Sequence, residues 1–369
     1  MRTLLQQLVE TESPSHDKAA VDRVGKIVAD QCRKLGAEVE IIPNQKTGDI
    51  VLAHFNSSSL LLHPSAKPIL ILCHMDTVFP IGTLQKFPYR EADGKIHGPG
   101  TLDMKSGIVI ALSALSSHLS SAAADSRPVW ALFTSDEEIG SHTSRVHIES
   151  LARQSEVVFV LEGALLDGSL KTWRKGGGSF HVKVKGRAAH AGGDHQAGRN
   201  AIEEMAHQVI AIQKLTDYEK QTTLNVGVIQ GGTVSNVVPD EARIEVDVRV
   251  MLPGEWERIE AEMQKLKPVL DGTSLEIVGE FNRPPMPYGE GNQAAFKKAS
   301  QIAKDKLGIE LKAGGTGGAS DGNFVAPLGI PVLDGMGAIG EGYHSDREYI
   351  FADSLEQRAK LLAALLSNW

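Results

Sequence analysis

Cysteine is scarce in this chain of 369 residues, which contains only Cys32 and Cys73. Two cysteines are too few for the disulfide framework of a secreted domain, so this composition is typical of a reducing compartment. The first residues also lack the apolar core of a secretion signal. We therefore expect a cytoplasmic protein.

Long hydrophobic runs are absent as well. The longest apolar segments, such as residues 69–73 and 157–161, are far shorter than the run of about 20 residues that a membrane-spanning helix needs. This excludes a membrane-spanning protein, and we expect no membrane partner.

Positive charge is in deficit. Lysine and arginine number 38 against 46 Asp and Glu, which gives a net charge of −8, and no long basic run occurs. Because phosphate binding needs clustered cations, we expect no nucleic acid partner. The 41% of hydrophobic and 23% of charged residues are ordinary for a globular protein, and the length favours two domains.

Both ends of the chain have the pattern of an α/β domain. Apolar strands near residues 50–55, 69–73, 129–134 and 157–161 alternate with helices near residues 17–35, 104–119 and 143–153. This alternation predicts a mainly parallel sheet with helices on both faces. Helices near residues 293–307 and 352–367 and a strand at 331–334 continue the same style.

The middle of the chain has a different pattern. From residue 176, strands with one polar face alternate with two helices in the order β-α-β-β-α-β, and a proline-rich turn at 284–287 follows. This order predicts a ferredoxin-like unit with one antiparallel sheet. We therefore expect a catalytic domain of residues 1–175 and 284–369, and an inserted lid and dimerisation domain of residues 176–283.

Residues that can bind metal occur in five segments, namely 73–78, 98–105, 135–140, 161–163 and 342–346. The first four follow an apolar strand or lie in a glycine-rich turn, and such segments converge at the carboxyl ends of the strands in open α/β sheets. Singly, each has an ordinary structural interpretation, such as an N-cap for Asp103. Together, two histidines and three carboxylates suit two neighbouring zinc ions if one carboxylate bridges them.

Residues 98–103, Gly-Pro-Gly-Thr-Leu-Asp, also invite comparison with a dinucleotide-binding loop. That motif needs a third glycine where Asp103 stands, and it follows a long buried strand, whereas the preceding segment 95–97 is short. An anionic Asp103 would repel a pyrophosphate, so we reject this interpretation.

The five motifs, in this order, resemble the co-catalytic dizinc peptidases and deacylases, which include aminoacylase, acetylornithine deacetylase and succinyl-diaminopimelate desuccinylase. The likeness is greatest to the glutamate carboxypeptidases of the carboxypeptidase G type. The resemblance implies two Zn²⁺ ions per chain, which Co²⁺ or Mn²⁺ could replace at the same ligands. It assigns the ligands as a set: His74 and Glu162 on one ion, Glu138 and His344 on the other, and Asp103 as the bridge.

The same resemblance implies two further catalytic roles. Asp76 would be the carboxylate that fixes the tautomer of the His74 imidazole. Glu137 would be the general base that takes a proton from the attacking water. The distinction between base and ligand within the Glu137-Glu138 pair comes from the resemblance and not from spacing.

Four residues of the inserted segment are candidates to contact substrate. Three of them match positions of the family, whereas Arg249 is a candidate because it lies on the polar face of its strand. His190 would reach into the active site of the partner subunit in a homodimer joined through the lid domains, and it would stabilise the oxyanion there. Asn236 would contact substrate, and Arg249 and Arg283 are candidates to bind a substrate carboxylate. For each arginine, a surface ion pair is the alternative.

The expected activity is hydrolysis of an amide bond next to a free carboxylate. Family members with aminopeptidase activity tend to carry Asp where this chain has Glu162, so we expect peptides or N-acyl amino acids ending in an acidic residue such as glutamate. One alternative is an N-acyl-amino-acid deacylase of the acetylornithine or succinyl-diaminopimelate type. Another is a non-catalytic zinc-binding dimer, against which the full ligand set together with Glu137 argues.

Overall fold

The structure, a computed structural model, describes residues 1–56, 66–121 and 127–369. It divides into two compact units. The larger unit comprises Met1–Arg174, Tyr288–Thr316 and Ser320–Trp369, and the inserted unit comprises Lys175–Pro287 and Gly317–Ala319. The inserted unit is thus slightly longer at both ends than the expected segment 176–283, and it includes part of a glycine-rich loop.

The strands are mostly short. Within the described residues they are, in chain order, β1 (Glu38–Ile42), β2 (Ile50–Phe55), β3 (Ile69–His74), β4 (Arg90–Ala92), β5 (Lys95–His97), β6 (Val129–Thr134), β7 (Val157–Val160), β8 (Leu170–Arg174), β9 (Gly176–Lys185), β10 (Ala189–His190), β11 (Thr223–Gly231), β12 (Val237–Val238), β13 (Glu241–Val250), β14 (Ser274–Arg283), β15 (Ala313–Thr316), β16 (Val332–Leu333), β17 (Gly340–Glu341) and β18 (Tyr349–Phe351).

The α-helices in the same residues are α1 (Arg2–Glu10), α2 (Lys18–Lys34), α3 (Ser106–Ser121), α4 (Arg145–Gln154), α5 (Ala201–Gln213), α6 (Glu255–Gln264), α7 (Glu290–Leu307), α8 (Gly322–Val325) and α9 (Ala352–Asn368). In the part of the chain that the structure describes, none of them combines the length and apolar character needed to cross a membrane.

The central sheet of the larger unit has the strand order β1-β2-β6-β3-β7-β16. β6, β3, β7 and β16 run parallel, whereas β1 and β2 pair antiparallel at one edge. β3 and β7 are buried along their whole length, which is why their sequences are uniformly apolar. The predicted α/β class with a mainly parallel sheet is confirmed.

Helices cover both faces of this sheet. Ile69, Ile71 and Cys73 of β3 belong to the main core cluster, into which α2, α3, α7 and α9 also pack. Because side chains alternate along a strand, Leu70 and Leu72 point to the other face. The buried residues of α4 and α8 lie outside the main cluster, and α8 contacts β7 and β16.

Helix α2 shows how closely local sequence sets an element. Asp17 caps the helix, since its side chain accepts a hydrogen bond from the Ala20 N–H at 3.0 Å. The helix ends just before Gly36, whose φ of +85° suits glycine at a C′ position. The prediction of a helix over residues 17–35 is confirmed to within one residue at each end.

The inserted unit contains a four-stranded antiparallel sheet in the order β11-β13-β9-β14. With α5 after β9 and α6 after β13, this is the arrangement of a ferredoxin-like unit. Its core includes an aromatic stack in which the ring of Trp256 lies 5.0 Å from that of Phe180 and 4.7 Å from that of Phe281.

A small four-stranded sheet in the order β17-β18-β5-β4 was not predicted. Its strands have only two or three residues each, too few to show a period in the sequence. β5 leads into residues 98–103, and β17 and β18 flank His344. This sheet therefore joins two of the predicted metal-binding segments.

Candidate metal centre

The elements of the larger unit place the predicted metal ligands near one another. His74 is the last residue of β3, and Glu162 lies two residues beyond β7, which pairs in parallel with β3. Parallel neighbours end at the same edge of a sheet, so these two side chains meet there. Glu138 lies in a short 3₁₀ turn, Glu137–Ile139, that follows the next parallel strand, β6.

Two histidines and three carboxylates form two groups that share Asp103. His74 Nε2 lies 3.1 Å from Asp103 Oδ1 and 3.4 Å from Glu162 Oε1. His344 Nε2 lies 3.0 Å from Asp103 Oδ2 and 3.2 Å from Glu138 Oε2. In each group all the ligand atoms lie within 4.8 Å of one another, so each could enclose one metal ion.

Asp103 does not cap a helix. The regular helix α3 begins only at Ser106, so the residue that precedes it is Lys105 and not Asp103. The two carboxylate oxygens of Asp103 face different histidines, as a bridging ligand requires. The N-cap interpretation that the sequence left open is therefore wrong.

The donor atoms fit two divalent ions. Imidazole and carboxylate are zinc ligands, and three protein ligands per ion leave a coordination position for water or substrate. Glu138 Oε1 is buried and, among the described residues, has no hydrogen-bond partner. A buried carboxylate oxygen without a partner is costly, and a cation would satisfy it.

The pKa values of these groups reflect crowded negative charge. Burial raises the pKa of Asp103, but hydrogen bonds from His344 and His74 outweigh it and hold that pKa well below its ordinary value. Burial and repulsion by Asp103 raise the pKa of Glu138 to about 7. The hydrogen bonds to Asp103 and Glu138 raise the pKa of His344 to about 11. Carboxylates this close together favour a bound cation.

Asp76 holds two neighbouring segments in place. His74 Nδ1 lies 3.0 Å from the backbone oxygen of Asp76 and 3.5 Å from the Asp76 carboxylate, so the backbone oxygen is the closer partner. This contact at Nδ1 leaves the other ring nitrogen, Nε2, directed at the carboxylates of Asp103 and Glu162. The Asp76 carboxylate accepts hydrogen bonds from the backbone N–H groups of Glu137 and Glu138, each at 3.2 Å, and from Ser15 Oγ at 2.7 Å. Asp76 therefore links the His74 strand to the Glu137-Glu138 turn.

Glu137 lines a small cleft together with His74, Glu162 and Asp321. It belongs to neither of the two ligand groups found among the described residues. Its position beside the ligands but outside both groups suits a residue that handles protons and does not bind metal.

The other four predicted site residues lie in the inserted unit. His190 is exposed, and its Nδ1 accepts hydrogen bonds from the N–H groups of Gly193 at 2.9 Å and Gly192 at 3.2 Å. The backbone oxygen of Asn236 accepts a hydrogen bond from Ala191 N at 3.0 Å, so this loop is tied to the His190 loop.

The two arginines of the inserted unit differ in their environments. Arg249 forms a fork with Asp247 at the surface, with Nη2–Oδ1 and Nε–Oδ2 distances of 2.8 and 2.9 Å. The surface ion pair that the sequence left open for Arg249 is therefore present. Arg283 is buried at the end of β14.

The sequence did not indicate Glu348. Its side chain is fully buried, and it accepts hydrogen bonds from the N–H groups of Leu102 at 2.6 Å, Asp103 at 3.0 Å and Gly100 at 3.1 Å. Burial and repulsion by Asp103 raise the pKa of Glu348 to about 8, although the backbone hydrogen bonds oppose this. No local pattern marks such a residue, because all its partners lie far away in the sequence.

Lys171 was also not indicated by the sequence. Its side chain in β8 is buried, and Nζ donates a hydrogen bond to Tyr343 Oη at 3.3 Å. Burial, followed by repulsion from Arg174, lowers the pKa of Lys171 to about 8. Within the described residues, no carboxylate forms an ion pair with this ammonium, whereas the guanidinium of Arg174 is bound by Asp334 at 2.7 and 2.8 Å.

Tyr343 connects this lysine with the metal centre. It directly precedes His344, and its hydroxyl lies so close to Gly163, next to Glu162, that a Cβ at that glycine would be 2.3 Å away. The carboxylates of Glu162 and Asp103 act on Lys171 electrostatically. The ammonium of Lys171 therefore belongs to the surroundings of the metal centre.

The chain is similar to known proteins over nearly its whole length. A model of the peptidase family M20/M25/M40 matches residues 70–368. Carboxypeptidase G2 of Pseudomonas sp. (strain RS-16) is 29% identical over 374 residues, which cover 99% of this chain and 88% of that protein. Succinyl-diaminopimelate desuccinylase of Azoarcus sp. (strain BH72) is 27% identical over 325 residues, which cover 82% of this chain and 84% of that protein. The solved structure of aminopeptidase PepT from Bacillus cereus ATCC 10987 has a TM-score of 0.81 at 22% identity, covers 100% of this chain and 97% of that chain, and shows the common fold.

Proposed function

Because the chain belongs to the peptidase family M20/M25/M40, we propose that it is a two-metal hydrolase that cleaves an amide bond next to a free carboxylate. Its substrates are peptides or N-acyl amino acids. The favoured substrates end in an acidic residue such as glutamate, which the reaction releases as the free amino acid. The similarity to carboxypeptidase G2 over 99% of the chain supports this activity.

Two Zn²⁺ ions are the proposed cofactors, with Co²⁺ or Mn²⁺ as substitutes. His74, Asp103 and Glu162 would hold one ion, and Asp103, Glu138 and His344 would hold the other. When bound, divalent ions lower the pKa of water toward 7 and polarise the substrate carbonyl.

The protein's own groups handle the protons and the developing charge. Glu137, next to the ligands but outside both groups, accepts the proton of the attacking water and passes it to the leaving amine. The Asp76 carboxylate keeps Glu137 in place by accepting a hydrogen bond from the backbone N–H of Glu137. His190 of the partner subunit donates a hydrogen bond to the oxyanion, and Asn236 and Arg283 contact the substrate.

The buried ammonium of Lys171 is the observation that carries the choice of an anionic substrate. A buried ammonium that forms no ion pair among the described residues is costly, and its retention beside the proposed catalytic centre points to an anion that arrives with the substrate. Arg249 is less suitable for this role, because Asp247 already occupies its guanidinium. Lys171 is therefore the preferred partner of the free carboxylate, with Arg283 as a second contact.

A deacylase is the second candidate. The 27% identity to succinyl-diaminopimelate desuccinylase favours it, and a succinyl group would also bring a carboxylate to Lys171. The two activities differ in which side of the scissile amide carries the recognised carboxylate.

The proposed assembly is a homodimer formed through the inserted unit. β11 is an edge strand of its sheet and exposes Val228 and Ile229 at 40% and 59%, and α5 exposes Ile210 at 58%. An exposed apolar edge strand tends to pair with another chain. In a two-fold dimer, β11 of each subunit would pair with the same strand of the other. The cytoplasmic location stays a prediction from the cysteines, both of which are buried and unpaired.

A hydrolysis screen tests these proposals. Protein loaded with Zn²⁺, Co²⁺ or Mn²⁺ is assayed with peptidyl glutamates, N-succinyl and N-acetyl amino acids, and matched substrates whose C-terminal carboxylate is amidated. We expect the glutamyl peptides to react fastest, amidation to lower kcat/KM at least about tenfold, and a chelator to abolish turnover.

The alternatives predict different results. Faster hydrolysis of succinyl amides would support the deacylase. A protein that binds both metals and hydrolyses none of these amides would refute the enzymatic proposal.

A further inference from the structure

One tight turn carries both a predicted metal ligand and Glu348. Ser345 N donates to the Gly342 carbonyl at 3.1 Å, and Glu348 N donates to the Ser345 carbonyl at 3.2 Å. The turn requires left-handed backbone at Gly342, with φ of +89°, and at His344, with φ of +57°. His344 and Glu348 therefore lie on the same hydrogen-bonded turn.

Residues of this turn contact both the side chain and the backbone of Asp103. His344 Nε2 lies 3.0 Å from Asp103 Oδ2. The Glu348 carboxylate accepts the Asp103 N–H at 3.0 Å and also those of Leu102 and Gly100. Residues 101–105 form an irregular turn ahead of α3, so these N–H groups precede the regular hydrogen bonding of the helix.

We infer that Glu348 is a positioning residue that sets the place of the bridging Asp103 between the two metal-ligand groups. The inference rests on the proposed metal centre. Its basis is the three backbone hydrogen bonds from the Asp103 turn to one buried carboxylate on the turn that carries His344.

The required precision makes such a residue necessary. Metal–ligand distances in proteins hold to about ±0.2 Å, and Asp103 must satisfy two groups at once. Its backbone is non-helical, and its N–H donates to the Glu348 carboxylate. Residues that orient metal ligands typically change metal affinity about 10–100-fold when they are replaced.

Glu348→Gln is the test variant. Glutamine keeps the size of the side chain but offers one acceptor oxygen and an amide group that donates, so at least one N–H of the Asp103 turn loses its acceptor. The chain offers a matched control in Glu204, which is also fully buried and accepts hydrogen bonds from the backbone N–H groups of Val269 and Leu270, at 2.9 and 2.7 Å. Glu204 lies in the inserted unit and belongs to neither ligand group.

The full-length metal-free chain is titrated with Zn²⁺ against a chromophoric chelator, and Co²⁺-loaded protein is examined by electron paramagnetic resonance for coupling between the two ions. Urea unfolding gives the stability of each variant. We expect Glu348→Gln to weaken the binding of at least one Zn²⁺ about tenfold or more and to reduce the coupling. Glu204→Gln should lower stability yet bind both ions as wild type does.

Wild-type affinity and coupling in Glu348→Gln would overturn the inference, as would an equal loss of metal affinity in Glu204→Gln. If Glu348→Gln does not fold, Glu348→Asp replaces it, because it keeps the carboxyl group but withdraws it by one methylene. Weakened Zn²⁺ binding in folded Glu348→Asp supports the inference, and unchanged binding overturns it. These readouts need no substrate, so a wild-type chain that binds two ions without hydrolysing amides would refute the proposed activity alone.

Discussion

Replacement of Lys171 by methionine should make the protein more stable and a poorer enzyme. Methionine fills a similar volume and removes the ammonium, which is buried and donates only to the neutral hydroxyl of Tyr343 among the described side chains. On the proposed function, this charge destabilises the folded chain by itself and contributes binding energy only when an anionic substrate is bound.

The size of the stabilisation follows from the pKa. Burial and the nearby Arg174 lower the pKa of Lys171 from 10.5 to about 8. At about 1.4 kcal/mol per pKa unit, the charged form costs the folded protein about 3 kcal/mol at pH 7. Loss of the hydrogen bond to Tyr343 removes about 1 kcal/mol, so Lys171→Met should gain about 2 kcal/mol.

Because the pKa of Lys171 is lower in the folded chain than in the unfolded chain, the stability should also depend on pH. Below pH 8 the folded and unfolded chains both carry the proton on Lys171, so the full cost is present. Between pH 8 and 10.5 the unfolded chain binds more protons, and the contribution of this group to wild-type stability rises with pH. The difference between Lys171→Met and wild type should therefore narrow over that range.

Urea unfolding of both proteins at pH 7 and near pH 10, at one fixed Zn²⁺ concentration, measures these differences. The exposed Lys312→Met is the control and should change stability by less than about 0.5 kcal/mol. In kinetics, Lys171→Met should lower kcat/KM about 10–100-fold for a substrate with a free carboxylate and little for its amide. A destabilised Lys171→Met, or equal kinetic losses on both substrates, would refute the reasoning.

Three further predictions concern the other site residues. Glu137→Gln should lower kcat by about 10²–10⁴-fold while both metals stay bound, whereas Glu138→Gln should lose metal; elemental analysis with the opposite result would exchange the two roles. Arg283→Lys should lower kcat/KM for the free-carboxylate substrate more than for its amide, and an equal effect on both would show that Arg283 does not bind that group. His190→Ala and Glu137→Ala should each be nearly inactive alone. When the two variants exchange subunits at random, about half of the dimers are mixed and one of the two sites in each is complete, so about a quarter of all sites should recover activity. Subunit exchange without recovery would place His190 in its own subunit's site or outside the mechanism.

Local sequence was sufficient wherever a structure depends on neighbours along the chain. The apolar runs of β3 and β7 predicted buried parallel strands because both faces of those strands are covered. Asp17 and Gly36 marked the ends of α2 because capping involves residues within one turn. The candidate metal ligands could be named because each lies at a strand end or in a marked turn, and because their order resembles that of a known family.

Tertiary structure alone decided the contacts between residues that are distant in sequence. Glu348 and Gly100 are 248 positions apart, and Lys171 and Tyr343 are 172 apart. Neither pair produces a period or motif, because a single long-range hydrogen bond constrains one residue at each end and leaves the surrounding sequence free. For the same reason β5 and β18, three residues each, were recognisable only once paired. The sequence could therefore name the candidate metal ligands, whereas the hydrogen bonds from the Asp103 turn to Glu348 and the burial of Lys171 became visible only in the folded chain.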